Sequence, residues 1–277
     1  MESQKPILFY HANCPDGFGA AWAFHKKYGD KIEYHPVSHN KDLPFFGLDP
    51  AIFKGRSIWM ADISLSKEEC QHIHSVAKEF QIIDHHLSAQ DELKDLTYCQ
   101  VDLSHSGAIL AWQYCFPQNP PPLILSYVED RDIWKWKMAH SQEVLAYIDS
   151  FDRDFPTWYN LERELESNLP SVIKEGGAIL RYNKNLRNIL MKNQYMTYIS
   201  GYLVPIINVS FFKSEILNDL SKDYPFAAGY HYDGKNYIFS LRSRKEGVNV
   251  AEIAERFGGG GHFHAAGFSV SSLSQIA

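Results

Sequence analysis

Four short stretches in the first half of the chain carry side chains able to hold divalent ions or move protons. They are His11 through Asp16-Gly17, Asp62 within Met60–Ser64, the triplet Asp84-His85-His86, and Glu129, Asp130 and Asp132 within Tyr127–Trp136. Carboxylate and imidazole together suit Mn2+, Mg2+ or Fe2+ better than thiolate-seeking ions. Two such ions about 3.5–4 Å apart clamp a phosphoryl group and generate a nucleophilic hydroxide at neutral pH. Each stretch has an ordinary alternative. An Asp ending an apolar run is commonly a helix cap, and a lone His is usually a satisfied core or surface residue. Asp84-His85-His86 is more specific, because a buried strand rarely ends in three adjacent metal-competent side chains. The four stretches together argue for chemistry.

The elements around them read as alternating strands and helices. Pro6–Tyr10, Ile32–Val37, Ser57–Ile63, Gln81–Asp84 and Thr97–Val101 are strand candidates, and Gly17–Tyr28, Ser66–Phe80 and Ser106–Phe116 are helical ones. That alternation predicts an α/β domain with a mostly parallel, doubly wound sheet, whose ligands collect at the carboxyl ends of its strands. All four stretches are expected at strand ends. Asn119-Pro120-Pro121-Pro122 is a boundary no helix crosses. From Ser141 to about Tyr198 the periodicity is helical, with Gly176-Gly177 a break or close packing point. Strands return at Leu203–Ser210, Phe226–Tyr232 and Tyr237–Arg242, the last two joined by an Asp233-Gly234 hairpin. A helix over Asn249–Phe257 precedes Gly258–Gly261 and a final strand. The expected organisation is an α/β metal-binding domain over 1–136, a helical connector over 137–200 and a smaller α+β domain over 201–277.

Composition narrows the partner. The chain has 277 residues, 45% hydrophobic and 22% charged, an ordinary globular mix. No apolar run approaches the roughly 18–20 residues of a membrane helix. The opening Met1 to Lys5 leads straight into a strand-like run without a signal-peptide layout, and the four cysteines show no CxxC pair. Reduced thiols and a cytoplasmic location are the expectation. The net charge of −6 and the lack of a basic stripe disfavour tracking a long nucleic acid. A short phosphorylated substrate, with positive charge supplied locally by metal, fits better.

The triplet Asp84-His85-His86, together with His11–Ala21, Asp62 and Asp132 in Arg131-Asp132-Ile133-Trp134, resembles the DHH phosphoesterases. Gly258-Gly259-Gly260-Gly261-His262-Phe263-His264-Ala265-Ala266-Gly267 looks like the glycine-rich signature of that family's associated C-terminal domain. The resemblance implies a Mn2+- or Mg2+-dependent phosphoesterase with two ions. One position takes Asp16, Asp62, His85 and Asp132. The other keeps His11 and a bridging Asp62. Many family members carry two aspartates after the first-strand histidine, and here only Asp16 remains. The second position must therefore accept Asn13, Cys14 or water, and its ion is expected to be weakly held. His86 is expected to contact the phosphate while the C-terminal domain closes over the substrate.

The glycine run has its own physics. Glycines let backbone N–H groups approach an anion, so Gly260, Gly261 and His262 are expected to bind phosphate, with Arg242 or Arg244 adding a guanidinium fork. Substrates implied by the family include short oligonucleotides, dinucleotides, nucleoside bisphosphates and pyrophosphate. A short oligoribonucleotide or small nucleotide fits best. Pyrophosphate calls for a denser cationic lining than Arg242, Arg244 and Lys245. The rival from another class is a non-catalytic nucleotide sensor with a degenerate metal site, and a homodimer is left open.

Overall fold

In β1 (Ile7–His11) the side chains alternate between two buried environments. Leu8 enters one core and Ile7 and Phe9 the other, as a central strand covered on both faces must do. The computed structural model describes residues 4–38 and 43–276, so the first three residues of the opening stretch lie outside it. After β1 come α1 (Pro15–Tyr28), β2 (Glu33–Val37), β3 (Ser57–Ala61), α2 (Lys67–Val76) and β4 (Glu79–Asp84). These are followed by α3 (Leu87–Leu93), β5 (Cys99–Val101), α4 (Gly107–Cys115), α5 (Leu123–Asp132), α6 (Ser141–Ile148), α7 (Phe155–Ser167) and α8 (Leu169–Met191). The strands form a five-stranded sheet in the order β2-β1-β3-β4-β5, parallel throughout. Helices α1, α4 and α5 cover one face and α2 and α3 the other. The doubly wound α/β architecture expected from the alternation is therefore present.

The chain divides into two units, Met1–Leu180 and Arg181–Ala277. The boundary differs from the three-part reading for a packing reason. Val144 and Leu145 of α6, Trp158, Leu161 and Leu165 of α7, and Val172 of α8 belong to the same core as α1 and α4. Most of the expected connector is thus part of the first unit.

The second unit adds β6 (Tyr195–Ile199), β7 (Tyr202–Asn208), α9 (Lys213–Leu220), β8 (Ala227–Tyr232), β9 (Tyr237–Arg242), α10 (Val250–Glu255), β10 (Gly260–His262) and β11 (Ala265–Val270). Its six-stranded sheet runs β10-β11-β9-β8-β7-β6. Among its described strands only β7 and β8 pair in parallel. The Asp233-Gly234 hairpin forms, with the Asp233 carboxylate accepting from the backbone of Lys235 and Asn236. Among the described residues no helix is long and apolar enough to cross a membrane.

Two boundaries correct the sequence reading. Helix α2 stops at Val76 rather than Phe80, because Phe80 pairs with Ile58 in the parallel ladder and is buried there. Tyr195–Tyr198 is strand, not helix: Ser200 (φ 50°) and Gly201 (φ 85°) make a two-residue turn that folds β6 back onto β7. Positive φ at both central residues is the hairpin geometry that matches strand twist.

Helices α6 and α8 meet at Gly176, where an added Cβ would overlap the backbone carbonyl of Glu143, whereas at Gly177 the nearest atom lies 3.9 Å away. Gly176→Ala should therefore cost about 1–3 kcal/mol by overpacking. Gly177→Ala should be neutral or gain up to about 1 kcal/mol in helix propensity. Chemical denaturation of the two variants checks this, and equal effects would refute the close packing.

Candidate metal centre

The carboxyl ends of β1, β3 and β4 lie side by side, and the chain order reverses at β1, as at the ligand crevice of other doubly wound sheets. His11 ends β1. Asp62 follows β3 in a left-handed conformation, φ 59°, with its N–H donating to the Ile83 carbonyl. His85 and His86 follow β4. Asp16 is the second residue of α1. The fourth group departs from the expectation of a strand end: Asp132 is the last residue of helix α5.

These side chains converge. The His85 Nε2 atom lies 3.1 Å from Asp62 Oδ1, 3.5 Å from Asp132 Oδ2 and 3.6 Å from Asp16 Oδ2. The other Asp62 oxygen, Oδ2, lies 3.5 Å from His11 Nδ1. One carboxylate thus faces both imidazoles, as a bridging ligand would. Adjacent ligands of an octahedral ion with bonds of about 2.1 Å stand roughly 3 Å apart, so this donor set fits a divalent cation. Among the described residues, three groups could hold an ion: His11, Cys14 and Asp62; Asp62, His85 and His86; and Asp16, His85 and Asp132. Every metal-site residue expected from the sequence is in the cluster, and Cys14 joins it. Asn13 is exposed.

Burial makes the cluster costly without a cation. Asp16 and Asp62 are each 1% exposed. Burial first, then the charges of Asp62 and Asp132, push the Asp16 carboxyl well above the usual range. Asp132 is raised in the same way, by burial and by Asp62. Burial also acts to raise Asp62, but the neighbouring imidazoles of His11 and His85 outweigh it and hold its carboxyl low. Contacts with Asp62 and then Cys14 raise His11 to about 10. Burial opposes the charged form of His85, yet Asp62, Asp16 and Asp132 carry it up to about 9.

Several residues hold these ligands in place, some of them candidates in the sequence for binding an ion and others, such as Gly107 and Ala108, not singled out there. Asp84 does not join the cluster. It is fully buried and accepts from the backbone N–H groups of His85 (2.7 Å) and His86 (3.2 Å) and from His86 Nδ1 (2.7 Å). That last bond leaves Nε2 of His86 free for a ligand and raises the imidazole pKa. The start of α4 grips Asp16, with Gly107 N–H donating to Oδ2 (2.7 Å) and Ala108 N–H to Oδ1 (3.0 Å). Gly107 permits this approach: an added Cβ would sit 2.5 Å from the Asp62 Cβ. Glu129 and Asp130 also stand outside the cluster. Glu129 accepts from Ser106 N–H, His105 and Lys135, and Asp130 from the N–H groups of Lys137 and Met138. A glycine just inside α4 is the one sequence signal for this support, because helix propensity disfavours it.

In the second unit Gly260, Gly261 and His262 form strand β10, not a free loop. His262 pairs with Ala265, and Ala265 with Arg242. Directly paired residues share a face, so Arg242 and His262 flank the small Ala265 about 10 Å apart. Arg242 also donates to Ser214 Oγ (3.0 Å). Arg244 is directed to the Lys222 carbonyl.

Residues 211–277 match the DHHA1 domain. Uncharacterized protein R106 of Acanthamoeba polyphaga mimivirus is 33% identical over 296 residues, covering 98% of this chain and 69% of that protein. Oligoribonuclease NrnB of Bacillus subtilis is 24% identical over 302 residues, covering 95% of this chain and 72% of that protein. Among solved structures, RecJ of Thermus thermophilus in complex with Mn2+ shares the fold with a TM-score of 0.54 at 12% identity, covering 98% of this chain and 50% of that chain. The chain belongs to the DHH phosphoesterase family.

The raised groups fix how the metal-free protein responds to pH. His11, His85, Asp16 and Asp132 all bind protons more tightly folded than unfolded. The histidine contribution is complete below their ordinary 6.5 and is lost as pH rises through about 9 to 10. The opposite shift of Asp62 acts only in acid. Metal-stripped protein should therefore melt at progressively lower temperature from pH 7 to 10, while metal-loaded protein changes less because the ion has displaced those protons. Parallel melts with and without chelator measure this, and a flat profile for the stripped protein would refute it.

Proposed function

We propose that the protein is a divalent-metal-dependent phosphoesterase that cleaves short oligonucleotides or small nucleotides. The observation carrying this reading is the convergence of Asp16, Asp62 and Asp132 on His85 Nε2, with the second Asp62 oxygen turned toward His11. Asp16, Asp62, His85 and Asp132 would hold one Mn2+ or Mg2+, and Asp62 with His11 a second ion. When bound, such ions neutralise phosphate charge and lower the pKa of water. His86 is held by Asp84 so that its protonated imidazole can donate to a phosphate oxygen. In the second unit, Arg242 and His262, with the backbone of Gly260 and Gly261, would grip a phosphate away from the reacting bond. The likeness to an enzyme named as an oligoribonuclease and the net charge of −6 support a short substrate, and the RecJ structure in complex with Mn2+ supports the choice of ion. We place the activity in the cytoplasm on the scattered cysteines alone.

The test is a product screen with metal-stripped protein, each added metal, and labelled dinucleotides, short and long RNA and DNA, 3′,5′-bisphosphorylated adenosine, and pyrophosphate. Mn2+-dependent release of mononucleotides from short chains is expected. Faster turnover of pyrophosphate would overturn the substrate class, and binding without turnover of any substrate would make the protein a sensor. Asp62→Ala should lower the rate well over tenfold, since losing a shared metal ligand should cost several kcal/mol. Retention of more than about a tenth of the rate would refute that role.

Arg242→Ala and His262→Ala separate binding from chemistry. Each should raise KM more than it lowers kcat, because in this reading both hold a phosphate other than the one attacked. Loss of a bound metal in His262→Ala would instead place that imidazole among the metal ligands.

A further inference from the structure

We propose that Cys14 is a thiolate ligand of the second ion, so that His11, Cys14 and Asp62 form a mixed nitrogen–sulfur–oxygen site. That site would select a borderline ion such as Zn2+, Co2+ or Fe2+ beside the carboxylate-rich Mn2+ or Mg2+ position. This rests on the metal-dependent reading above and specifies what fills the place of the family's missing aspartate.

Three observations carry it. Donor atoms of His11, Cys14 and Asp62 all lie within 4.8 Å of one another. A tetrahedral ion with bonds of about 2.0–2.3 Å sets its ligands roughly 3.3–3.6 Å apart, so closing the site takes movements of about an ångström. Second, Asp62 Oδ2 is buried and has no hydrogen-bond partner, although it faces His11 at 3.5 Å. A carboxylate oxygen left in that state is satisfied by a cation between these groups. Third, the Cys14 side chain is not spent on capping: it occupies the N-cap of α1 without a side-chain cap hydrogen bond. The neighbouring alternative, Asn13, takes a left-handed turn with φ 58° and is exposed.

The chemistry of the donors then differs between the two positions. One has three carboxylates and an imidazole, a hard set suited to Mn2+ or Mg2+. The other has sulfur, nitrogen and one shared oxygen. Metal binding deprotonates a coordinating thiol outright, so Cys14 supplies the same single negative charge as an aspartate. Replacing oxygen by sulfur therefore changes which ion is held rather than removing the attraction. Three protein ligands also leave a fourth position for water or substrate, as in catalytic zinc sites.

The experiment uses the full-length, metal-stripped protein. Mn2+ is added first to fill the carboxylate-rich position, and Co2+ is then titrated while absorption is recorded. The expected result is a thiolate-to-cobalt charge-transfer band in the near ultraviolet, saturating at one Co2+ per chain and bleached by Zn2+. Cys14→Ser, which is nearly isosteric, should abolish the band and weaken the second ion beyond the roughly 10–100-fold typical of losing an outer-shell partner. Cys14→Asp should bind a second ion without the band and shift its preference toward Mn2+. Second-ion binding in the wild type without the band, or an unchanged band in Cys14→Ser, overturns the thiolate assignment and leaves the phosphoesterase reading standing. Failure of calorimetry to detect any ion in the wild type overturns both.

Discussion

Three carboxylates drawn to within 3.1–3.6 Å of one imidazole nitrogen are the constraint on which the first unit depends. Carboxylates gathered around one atom in a buried setting repel one another, and in the metal-free chain that repulsion raises the proton affinity of Asp16 and Asp132, while the carboxylates raise that of His11 and His85. Those protons and a divalent ion compete for the same atoms. The cluster is costly to fold as built, which makes it a poor structural device and a good receptacle for a cation. The same cost explains why so many neighbouring groups are committed to holding it.

That support comes from backbone donors as much as from side chains. The first N–H groups of α4 hold both oxygens of Asp16, where partial positive charge from the helix end favours a carboxylate. Gly107 brings that helix end against Asp62, so the two acids are fixed by one approach. Glu129 ties α5 to the loop before α4 through Ser106 and His105. The helix that carries Asp132 and the helix that grips Asp16 are thereby linked. Asp84 performs the corresponding task for the histidines. The ligands sit at strand ends because the sheet supplies rigid origins, and the turns beyond supply aim.

The sheet and most of the ligands were legible in the chain for a simple reason. Parallel strands buried on both faces are short apolar runs, and where such a run stops at Asp or His the exception stands out. Asp62, Asp84, His85 and His86 were found this way. Asp132 was a candidate beside Glu129 and Asp130 and was singled out from them only through resemblance, because a carboxylate at a helix end has no periodic signature and its two neighbours have the same chemistry and a structural task. Helical periodicity through Tyr195–Tyr198 was misleading because the deciding signal, Ser200-Gly201, lies after the segment it reorganises. The extent of the first unit was hidden for a related reason: whether a helix is a connector or a wall depends on where Trp158 and Leu161 pack, not on their spacing.

The choice between Asn13 and Cys14 shows the limit of alignment by residue type. By chemistry Asn13 is the nearer substitute for aspartate, since it keeps an oxygen. Geometry reverses that preference. The left-handed turn at Asn13 leaves that residue exposed, and the next residue, at the threshold of α1, is the one brought beside His11 and Asp62. An ion site is specified by where donor atoms meet, and a one-residue displacement in a turn exchanges an amide for a thiol. What the family position loses in hardness it keeps in charge, so a sulfur at Cys14 is a change of selectivity more than a defect.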